Sequence, residues 1–483
     1  MFVAVGFLIF AILTLIAGTT GDLFGRKMVL MVGLVGLTLA NILGALTLGT
    51  PQFAITDVLA SITTLAVMPM CIAIITLNYP QNTRPMAYAM MFGSFFIAVI
   101  LGASLGGIFD AMGIPNISFI PVVIVGIISI WKVVKDVPES RAPQNIRRTS
   151  AVVNLILLAG VFWLVYLVIT AQNLLNSWLP VLVAVFALML FVESVRWLRR
   201  RVRFFQGVEM FTGRDIGFGI FAGVALFVAQ GAFLYQFTAF FQDVQNMSVV
   251  MAGLAFIPFG IGILLGSFLL GRVAQRYDAR RIIASGFLLM GASLVWLAFV
   301  QAETSYWFMI VPFALFGIGF GLGIPARTQV VLSAPPPELA GSAGAINTAA
   351  GQSGYALGVV ISSLLVTQLA TSAFLKSLAQ AGVTEESLQK IEDAIPNILS
   401  QTSTGEYASL PQAVLDLAAA KYDQALTTGM GQMFLLLAVF MLLSAAAIYL
   451  GMHRGLQAAS APPLMQMLPA QDEESPAVEE PVD

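Results

Sequence analysis

The stretch Gly18-Thr-Thr-Gly-Asp22-Leu-Phe-Gly25-Arg26-Lys27 joins the first two apolar segments of the chain. A degenerate copy, Gly271-Arg-Val-Ala-Gln-Arg276-Tyr-Asp278-Ala-Arg280-Arg281, occupies the corresponding place in the second half. Short charged loops that carry glycine and recur in both halves of an apolar chain are typical of membrane transporters built from repeats. The sequence therefore predicts a repeat-built membrane protein.

The composition supports the same conclusion. The chain has 483 residues, of which 58% are hydrophobic and 10% charged, too few polar groups to cover a water-soluble surface. A formal charge of −2 argues against nucleic acid as a partner. The single cysteine, Cys71, excludes an internal disulfide and a cysteine metal cluster. No nucleophile-and-base pair, metal spacing or phosphate-binding loop is present, so we expect no enzyme activity, metal or cofactor. The expected partners are the lipid bilayer, a small-molecule substrate and protons.

Apolar segments of about 20 residues are long enough to cross the hydrocarbon layer. If residues 21–27 are cytoplasmic, alternation of thirteen such segments places all the Lys and Arg residues except Lys376, Lys390 and Lys421 on the cytoplasmic side, as the positive-inside rule requires. This predicts a multi-pass protein of the inner or plasma membrane with a cytoplasmic C-terminus and an outer N-terminus. The expected spans are 1–20, 28–48, 53–77, 86–109, 117–134, 151–170, 177–198, 214–238, 247–270, 282–301, 306–331, 339–369 and 429–452.

The polar stretches between the spans predict a division of the chain into blocks. Five spans form an N-terminal helical bundle, two additional spans follow it, and six spans form a C-terminal bundle that is interrupted by an outer loop. Two cytoplasmic linkers separate the blocks, and an acidic tail rich in Pro and Ala is expected to be disordered. The expected bounds are 1–134, 135–150 (linker), 151–198, 199–213 (basic linker), 214–452 with the loop over 370–428, and 453–483 (tail).

Residues 18–27 resemble the loop between the second and third helices of each six-helix half in the major facilitator superfamily. Thirteen spans in a five, two, six order resemble the fourteen-helix drug:proton antiporters of that superfamily, with the first helix missing. Either the start codon is misplaced and the native chain is longer, or the protein is a degenerate relative. The resemblance implies an all-α, two-bundle fold with two extra central helices, and a monomer that exports amphipathic compounds or drugs by proton antiport. An uptake permease and a non-transporting membrane partner or sensor remain the alternatives.

The charged residues of the first loop can interact with each other and with a helix end. The carboxylate of Asp22, at a helix end, can accept bonds from free backbone N–H groups and oppose a helix dipole. Arg26 can reach it across the tight turn that Gly25 permits. In the resembling family this pair is a conformational latch between the two halves, and a solvated turn that only sets topology is the alternative. The latch residues are Gly18, Gly21, Asp22, Gly25, Arg26 and Lys27. Because Gln275 replaces the Asp in the second copy, we expect no equivalent latch there.

The fourth span contains Gly102, Gly106 and Gly107, a pattern that resembles the antiporter motif of the family's fifth helix. Ala103 stands where the family usually has proline. Small residues four apart also allow two helices to approach closely, so tight packing is an alternative explanation.

The third span contains an acid, Asp57, where the resembling family has an arginine. A carboxylate in a membrane helix is a functional candidate because burial of its charge is costly, and desolvation raises such a pKa. We therefore consider Asp57 a candidate for proton coupling, with contact to interfacial water as the alternative. Ser61, Thr64 and Met68 follow at helical spacing and are candidates for one wall of a substrate cavity.

The eighth span carries aromatic and amide side chains on one face, a composition suited to a pocket for an apolar solute of variable shape. Aromatic residues that face lipid or the membrane interface would give the same pattern. The candidates are Gln230, Phe233, Tyr235, Phe237 and Phe241.

Overall fold

A computed structural model describes residues 2–46, 50–80, 83–141, 213–333, 335, 339–383 and 412–453. Within these ranges the chain is helical apart from short connections, and it forms no strand. A 3-10 turn over Pro115–Phe119 precedes α5, and a π-helical turn over Phe240–Val244 follows α6. The α-helices are α1 Phe2–Phe24, α2 Arg26–Leu46, α3 Thr50–Asn78, α4 Arg84–Ala111, α5 Ile120–Asp136, α6 Arg214–Ala239, α7 Val249–Leu254, α8 Ile257–Val273, α9 Ala279–Leu297, α10 Tyr306–Ser333, α11 Ala340–Gln380 and α12 Gln412–Gly451.

Each expected span within the described ranges coincides with a helix, and the span expected over 247–270 is divided between α7 and α8. Among the described residues, nine helices are long and apolar enough to cross a membrane. The spans expected over 151–170 and 177–198, and the acidic tail beyond His453, lie outside the described residues. The fold is all-α and polytopic, as the apolar segments predict.

Two helices extend well beyond the apolar segments that predicted them. The structure continues α11 to Gln380 and begins α12 at Gln412, so helix occupies both ends of the loop expected over 370–428. The extension of α11 includes Ala, Leu, Lys and Gln residues, which have high helix propensity. Its Phe374 is buried and packs edge-on against Tyr422 of α12, with ring centroids 6.3 Å apart. This side-chain contact supports helix where the backbone has left the apolar segment.

The helices form a first group, α1–α5, and a second group, α6–α12. The larger apolar core lies in the second group, where phenylalanines of α6, α8 and α10 pack on one another. By contrast, α5 buries none of its residues, so its apolar side chains are available to lipid. The groups meet where α1 and α3 pack on α11, and where α4 packs on α8 and α10.

The loop around Gly25 defines one face of the molecule, called here the Gly25 face. The start of α11 lies there, because Gly341 and Ser342 donate hydrogen bonds to Asp22 at the end of α1. The chain after α5 also lies there, because Ser140 accepts a hydrogen bond from the Arg26 backbone.

Candidate functional site

The loop between α1 and α2 is a single residue, Gly25. Its φ of +121° lies in a region that side-chain-bearing residues rarely adopt, which explains why glycine occupies the turn. The Gly25 N–H donates to the carbonyl of Gly21 at 3.0 Å, and the Gly25 carbonyl accepts from Val29 N at 3.0 Å. One turn therefore ends α1, begins α2 and places Asp22 beside Arg26.

Asp22 joins the first helix group to the second. Its Oδ1 accepts from Arg26 Nη2 at 2.8 Å and Nε at 3.1 Å. The same oxygen accepts from Gly341 N at 3.0 Å, while Oδ2 accepts from the backbone N and the Oγ of Ser342 at 2.8 and 2.6 Å. These four residues are called the Asp22 cluster.

The Asp22 cluster stabilises the N-terminal end of α11. The first backbone N–H groups of α11 have no partner within the helix, and the helix dipole places partial positive charge there. Asp22 supplies both acceptors and negative charge, and Arg26 balances that charge from its own helix group. Because Asp22 is fully buried and Arg26 is 1% exposed, water competes little for these bonds.

Glycine makes this close approach possible. A Cβ on Gly18 would collide with the side chain of Ala345 and with the carbonyl of Gly341. A Cβ on Gly341 would collide with the Asp22 carboxylate, and one on Gly21 with the sulfur of Met70. The glycines therefore set the distance between α1 and its neighbours α3 and α11.

The segment that follows α5 packs beneath the loop. Arg26 N donates to the carbonyl of Ser140 at 3.1 Å, and Lys27 N donates to Glu139 Oε1 at 3.2 Å. Lys27 Nζ donates to the carbonyl of Val134 at 2.9 Å, which places the cation at the carbonyl end of α5. A Cβ on Gly25 would meet the Glu139 carboxylate. The start of the linker expected over 135–150 is thus attached to the Asp22 cluster.

Contact between α1 and α11 continues away from the Gly25 face. Thr14 Oγ1 donates to Gln352 Oε1 at 3.1 Å. Further along, the rings of Phe7 and Tyr355 have centroids 4.2 Å apart. Small and aliphatic side chains of both helices, including the buried Leu15, fill the space between them. The Asp22 cluster therefore terminates a long interface between the two groups.

The second copy of the loop makes no comparable junction among the described residues. Gln275, at the position equivalent to Asp22, is exposed. Arg280 Nη1 instead donates to the carbonyl of Tyr449 in α12 at 3.2 Å, and its Nε lies 3.7 Å from Asp278 Oδ2. This copy connects helices within the second group.

The phenylalanines expected to line a cavity are buried in the described structure. Phe233, Phe237 and Phe241 are each 0% exposed. Phe233 stacks on Phe316 at 4.4 Å, and Phe237 stacks on Phe434 at 5.3 Å. In the described structure this stripe faces neighbouring helices of its own group, and a role in lining a cavity stays a prediction.

The other two candidates on α6 differ from the phenylalanines. Gln230 is 6% exposed, and its Oε1 has no hydrogen-bond partner among the described groups. Tyr235 is half-buried and packs against the residues that join α1 to α11. Of the five candidates, Tyr235 is thus placed at the contact between the groups.

The candidates on α3 lie on a helix that contacts both groups. Thr64 is exposed, with its hydroxyl bonded to the carbonyl of Ala60 at 2.7 Å. Ser61 is half-buried, and Met68 packs against the core of the second group. Asp57 belongs to α3, but its side chain lies outside the described part of the structure.

The glycines of the antiporter-type motif lie in α4. A Cβ on Gly102 or Gly106 would meet no described atom within 4 Å, and Gly102 is exposed. Tight packing of described residues therefore does not account for these two glycines. Gly107 lies on the same helix.

Sequence reasoning missed the partners of Asp22 and Arg26. Gly341 and Ser342 lie about 320 positions away in the chain, and Ser140 lies 114 positions from Arg26. A serine within the first turn of a helix that follows a proline-rich connection was the available signal at Ser342. It identified a helix start, but nothing in the local sequence paired that start with α1.

A family model described as Major Facilitator Superfamily matches residues 1–359. The tetracenomycin C resistance and export protein of Streptomyces glaucescens is 25% identical over 393 residues, which cover 78% of this chain and 71% of the relative. The methyl viologen resistance protein SmvA of Salmonella typhimurium is 25% identical over 452 residues, covering 91% and 89%. The riboflavin transporter RibZ of Clostridioides difficile is 22% identical over 355 residues, covering 73% and 76%.

Solved structures share the fold. The human organic anion transporter MFSD10 superposes with a TM-score of 0.55 at 14% identity, covering 91% of this chain and 83% of that chain. The proton:xylose symporter XylE gives a TM-score of 0.51 at 16% identity, covering 90% and 84%. The helices and these comparisons define a multi-pass membrane transporter. The chain belongs to the Major Facilitator Superfamily, whose members are transporters and not enzymes.

Proposed function

We propose that this chain is a secondary active transporter that exports small amphipathic compounds in exchange for protons by alternating access. In this proposal the Asp22 cluster is a latch that holds the Gly25 face closed. The observation that carries the proposal is the buried Asp22 carboxylate, which accepts three hydrogen bonds from the first turn of a helix in the other group.

The arrangement of partners suits a latch that must open repeatedly. Arg26 and Asp22 belong to the same helix group, so they remain paired when the groups separate. Only the bonds to Gly341 and Ser342 break, and water can replace those partners once the face opens. Removal of a partner from a buried ion pair costs about 3–5 kcal/mol. Separation that keeps the pair intact avoids that cost.

The direction of transport and the substrate class rest on the relatives. Several are named for resistance or export, including the proteins named for tetracenomycin C and methyl viologen. We carry this class to the present chain as part of the proposal, together with a monomeric state, a plasma-membrane location and a cytoplasmic C-terminus.

Export is tested with ethidium in cells that lack their own efflux pumps and produce the full chain. We expect energised cells to lose preloaded ethidium faster than cells with empty vector, and a protonophore to abolish the difference. Accelerated uptake instead of loss would favour a permease. The same ethidium kinetics with and without the chain, at confirmed membrane abundance, would contradict the proposal for this substrate class.

Proton coupling is proposed at Asp57. We expect Asp57→Asn to abolish the protonophore-sensitive part of ethidium loss, because an amide cannot exchange a proton in this range. Matched abundance in the membrane is the required control, and Ser61→Ala on the same helix tests whether any polar change there has the effect. Unchanged proton-driven efflux by Asp57→Asn would remove Asp57 from the mechanism.

A further inference from the structure

Arg327 is a buried cation in the second helix group. It lies in α10 and is 1% exposed. Both Nη1 and Nη2 donate to the carbonyl of Asn347 in α11 at 3.2 Å, and Nε donates to no described group. Among the described residues no carboxylate pairs with it. Burial of an arginine in a membrane helix costs several kcal/mol, so this position needs an explanation.

The surroundings of Arg327 come from three helices of the same group. Its guanidinium lies 5.7 Å from the centre of the Phe227 ring in α6, within the range of cation–π attraction. It also occupies the space left by the missing side chain of Gly223, where a Cβ would meet Cζ at 2.7 Å. The arginine therefore holds α6, α10 and α11 together at one point.

A second hydrogen bond crosses between α10 and α11 at this point. Asn347 Nδ2 donates to Thr328 Oγ1 at 3.4 Å, and Thr328 is fully buried. Asn347 thus accepts through its backbone carbonyl from one residue of α10 and donates through its side chain to the next. These bonds fix the second turn of α11 relative to α10.

That turn lies next to the part of α11 that meets Asp22. Asn347 is five residues after Ser342, about 7.5 Å along the helix axis. The bonds between the groups at Asp22 are directional, with lengths of 2.6 to 3.0 Å, and they require the first turn of α11 to keep its position. Pairing with Asp22 therefore depends on how firmly the start of α11 is held within its own group.

We propose that Arg327 is a positioning residue for the latch, which clamps the start of α11 to α10 so that Gly341 and Ser342 face Asp22. This inference rests on the proposed latch, but not on the substrate or on proton coupling. Arginine suits the role because its two terminal nitrogens can donate to one carbonyl in a fixed plane. A role limited to membrane topology does not require the guanidinium to be buried against α6 and α11.

The test uses the full chain in native membrane vesicles, with Cys71→Ala to remove the one thiol of the sequence. Leu15→Cys then places a reporter thiol at a 1% exposed position between α1 and α11. The rate of maleimide labelling reports how often these helices separate. We expect Asp22→Asn and Arg327→Gln each to raise the rate by about tenfold, because each weakens the closed state.

The decisive measurement is the double variant. Because we expect both residues to act through the first turn of α11, Asp22→Asn with Arg327→Gln should label within about twofold of the faster single variant. Independent effects would multiply to about a hundredfold. Arg327→Lys should restore slow labelling, since an ammonium group can still donate to the Asn347 carbonyl. A multiplicative double variant, or Arg327→Gln with parental labelling, would overturn the proposal.

Two further variants separate positioning from general stability. Arg280→Gln is the matched control, because Arg280 is also buried and donates to a backbone carbonyl within the second group, in α12 rather than α11. We expect it to leave the labelling rate unchanged.

If Arg327→Gln does not reach the membrane, Thr328→Val removes the other bond to Asn347 with little change in shape. Thr328→Val should raise the labelling rate by about threefold, and adding it to Asp22→Asn should not raise the rate of Asp22→Asn further. A labelling rate of Thr328→Val equal to that of the parent would count against the proposal. If the unsubstituted chain exports no ethidium but the double variant labels no faster than expected, the transport proposal fails and the positioning role of Arg327 stands.

Discussion

Asp22 illustrates how one side chain can serve two helices at once. Its oxygens receive two hydrogen bonds from Arg26 on the neighbouring helix and three from the first turn of α11. Charge-assisted bonds of this kind are about twice as strong as neutral ones. The carboxylate charge therefore contributes more than the shape of the side chain.

Asp22→Asn separates charge from shape. The amide keeps one acceptor oxygen but removes the negative charge beside the buried Arg26, so we expect destabilisation by about 3–5 kcal/mol and at least a tenfold loss of transport. Thermal unfolding in detergent and initial efflux rates measure the two effects. Asp136→Asn is the control, because the Asp136–Lys132 pair is exposed and should contribute under about 1 kcal/mol. Equal effects of the two substitutions would contradict the assignment.

Gly25→Ala tests the turn. A side chain at this positive φ strains the backbone, and its Cβ would also collide with the Glu139 carboxylate. We therefore expect destabilisation by about 1–3 kcal/mol. Gly113→Ala is the matched comparison, since Gly113 also has positive φ, +73°, but no described atom lies within 4 Å of a Cβ there. A smaller loss of stability at Gly113 than at Gly25 is expected from thermal unfolding. The reverse order would show that contact with Glu139 is unimportant.

Helix α6 shows why a stripe of aromatic residues does not predict its own partner. In a soluble protein the apolar face of a helix points inward, but in a membrane the lipid, a neighbouring helix and a pocket for an apolar solute all favour apolar side chains. The spacing of Phe233, Phe237 and Phe241 identified a shared face correctly. Their burial against α10 and α12 was not available from the pattern.

Phe233→Leu distinguishes a packing role from the predicted cavity role. We expect lower thermal stability, by about 1–2 kcal/mol, because ring contacts with Phe313 and Phe316 are lost, and an unchanged preference among transported dyes. Phe268→Leu is the control, since Phe268 is 70% exposed and should change neither property. Altered dye preference by Phe233→Leu at unchanged stability would restore the cavity interpretation.

Gly106 in α4 offers the opposite test. No described atom lies within 4 Å of a Cβ at this position, so Gly106→Ala should stabilise the helix by up to about 1 kcal/mol. If the glycines are an antiporter-type motif that requires a flexible helix, efflux should fall although thermal stability rises. Retained efflux with higher stability would leave these glycines without a role in transport. Gly262→Ala, which would collide with the backbone of α10, should instead destabilise.

At the scale of the whole molecule, helices and their order were predictable because each apolar segment must satisfy its backbone bonds internally within lipid. The Asp22–Arg26 pair was predictable for a similar reason, since four residues and one glycine turn fix it locally. The partners Ser342 and Ser140 were not, because contacts between distant helices depend on how the groups pack. The two copies of the charged loop also differ: the first connects the groups, whereas Arg280 in the second ties α9 to α12.

The continuous helix α11 runs for 41 residues from Ala340 to Gln380 and includes the buried Phe374. At 1.5 Å per residue this is about 60 Å, twice the depth of the hydrocarbon layer at about 30 Å. The C-terminal part of α11 is therefore expected to extend beyond the membrane, while its first turn is hydrogen-bonded to Asp22 at the opposite end. A fluorophore on the exposed Lys376 would tilt with α11. Opening of the Asp22 cluster at one surface of the membrane would then change an optical signal at the other surface.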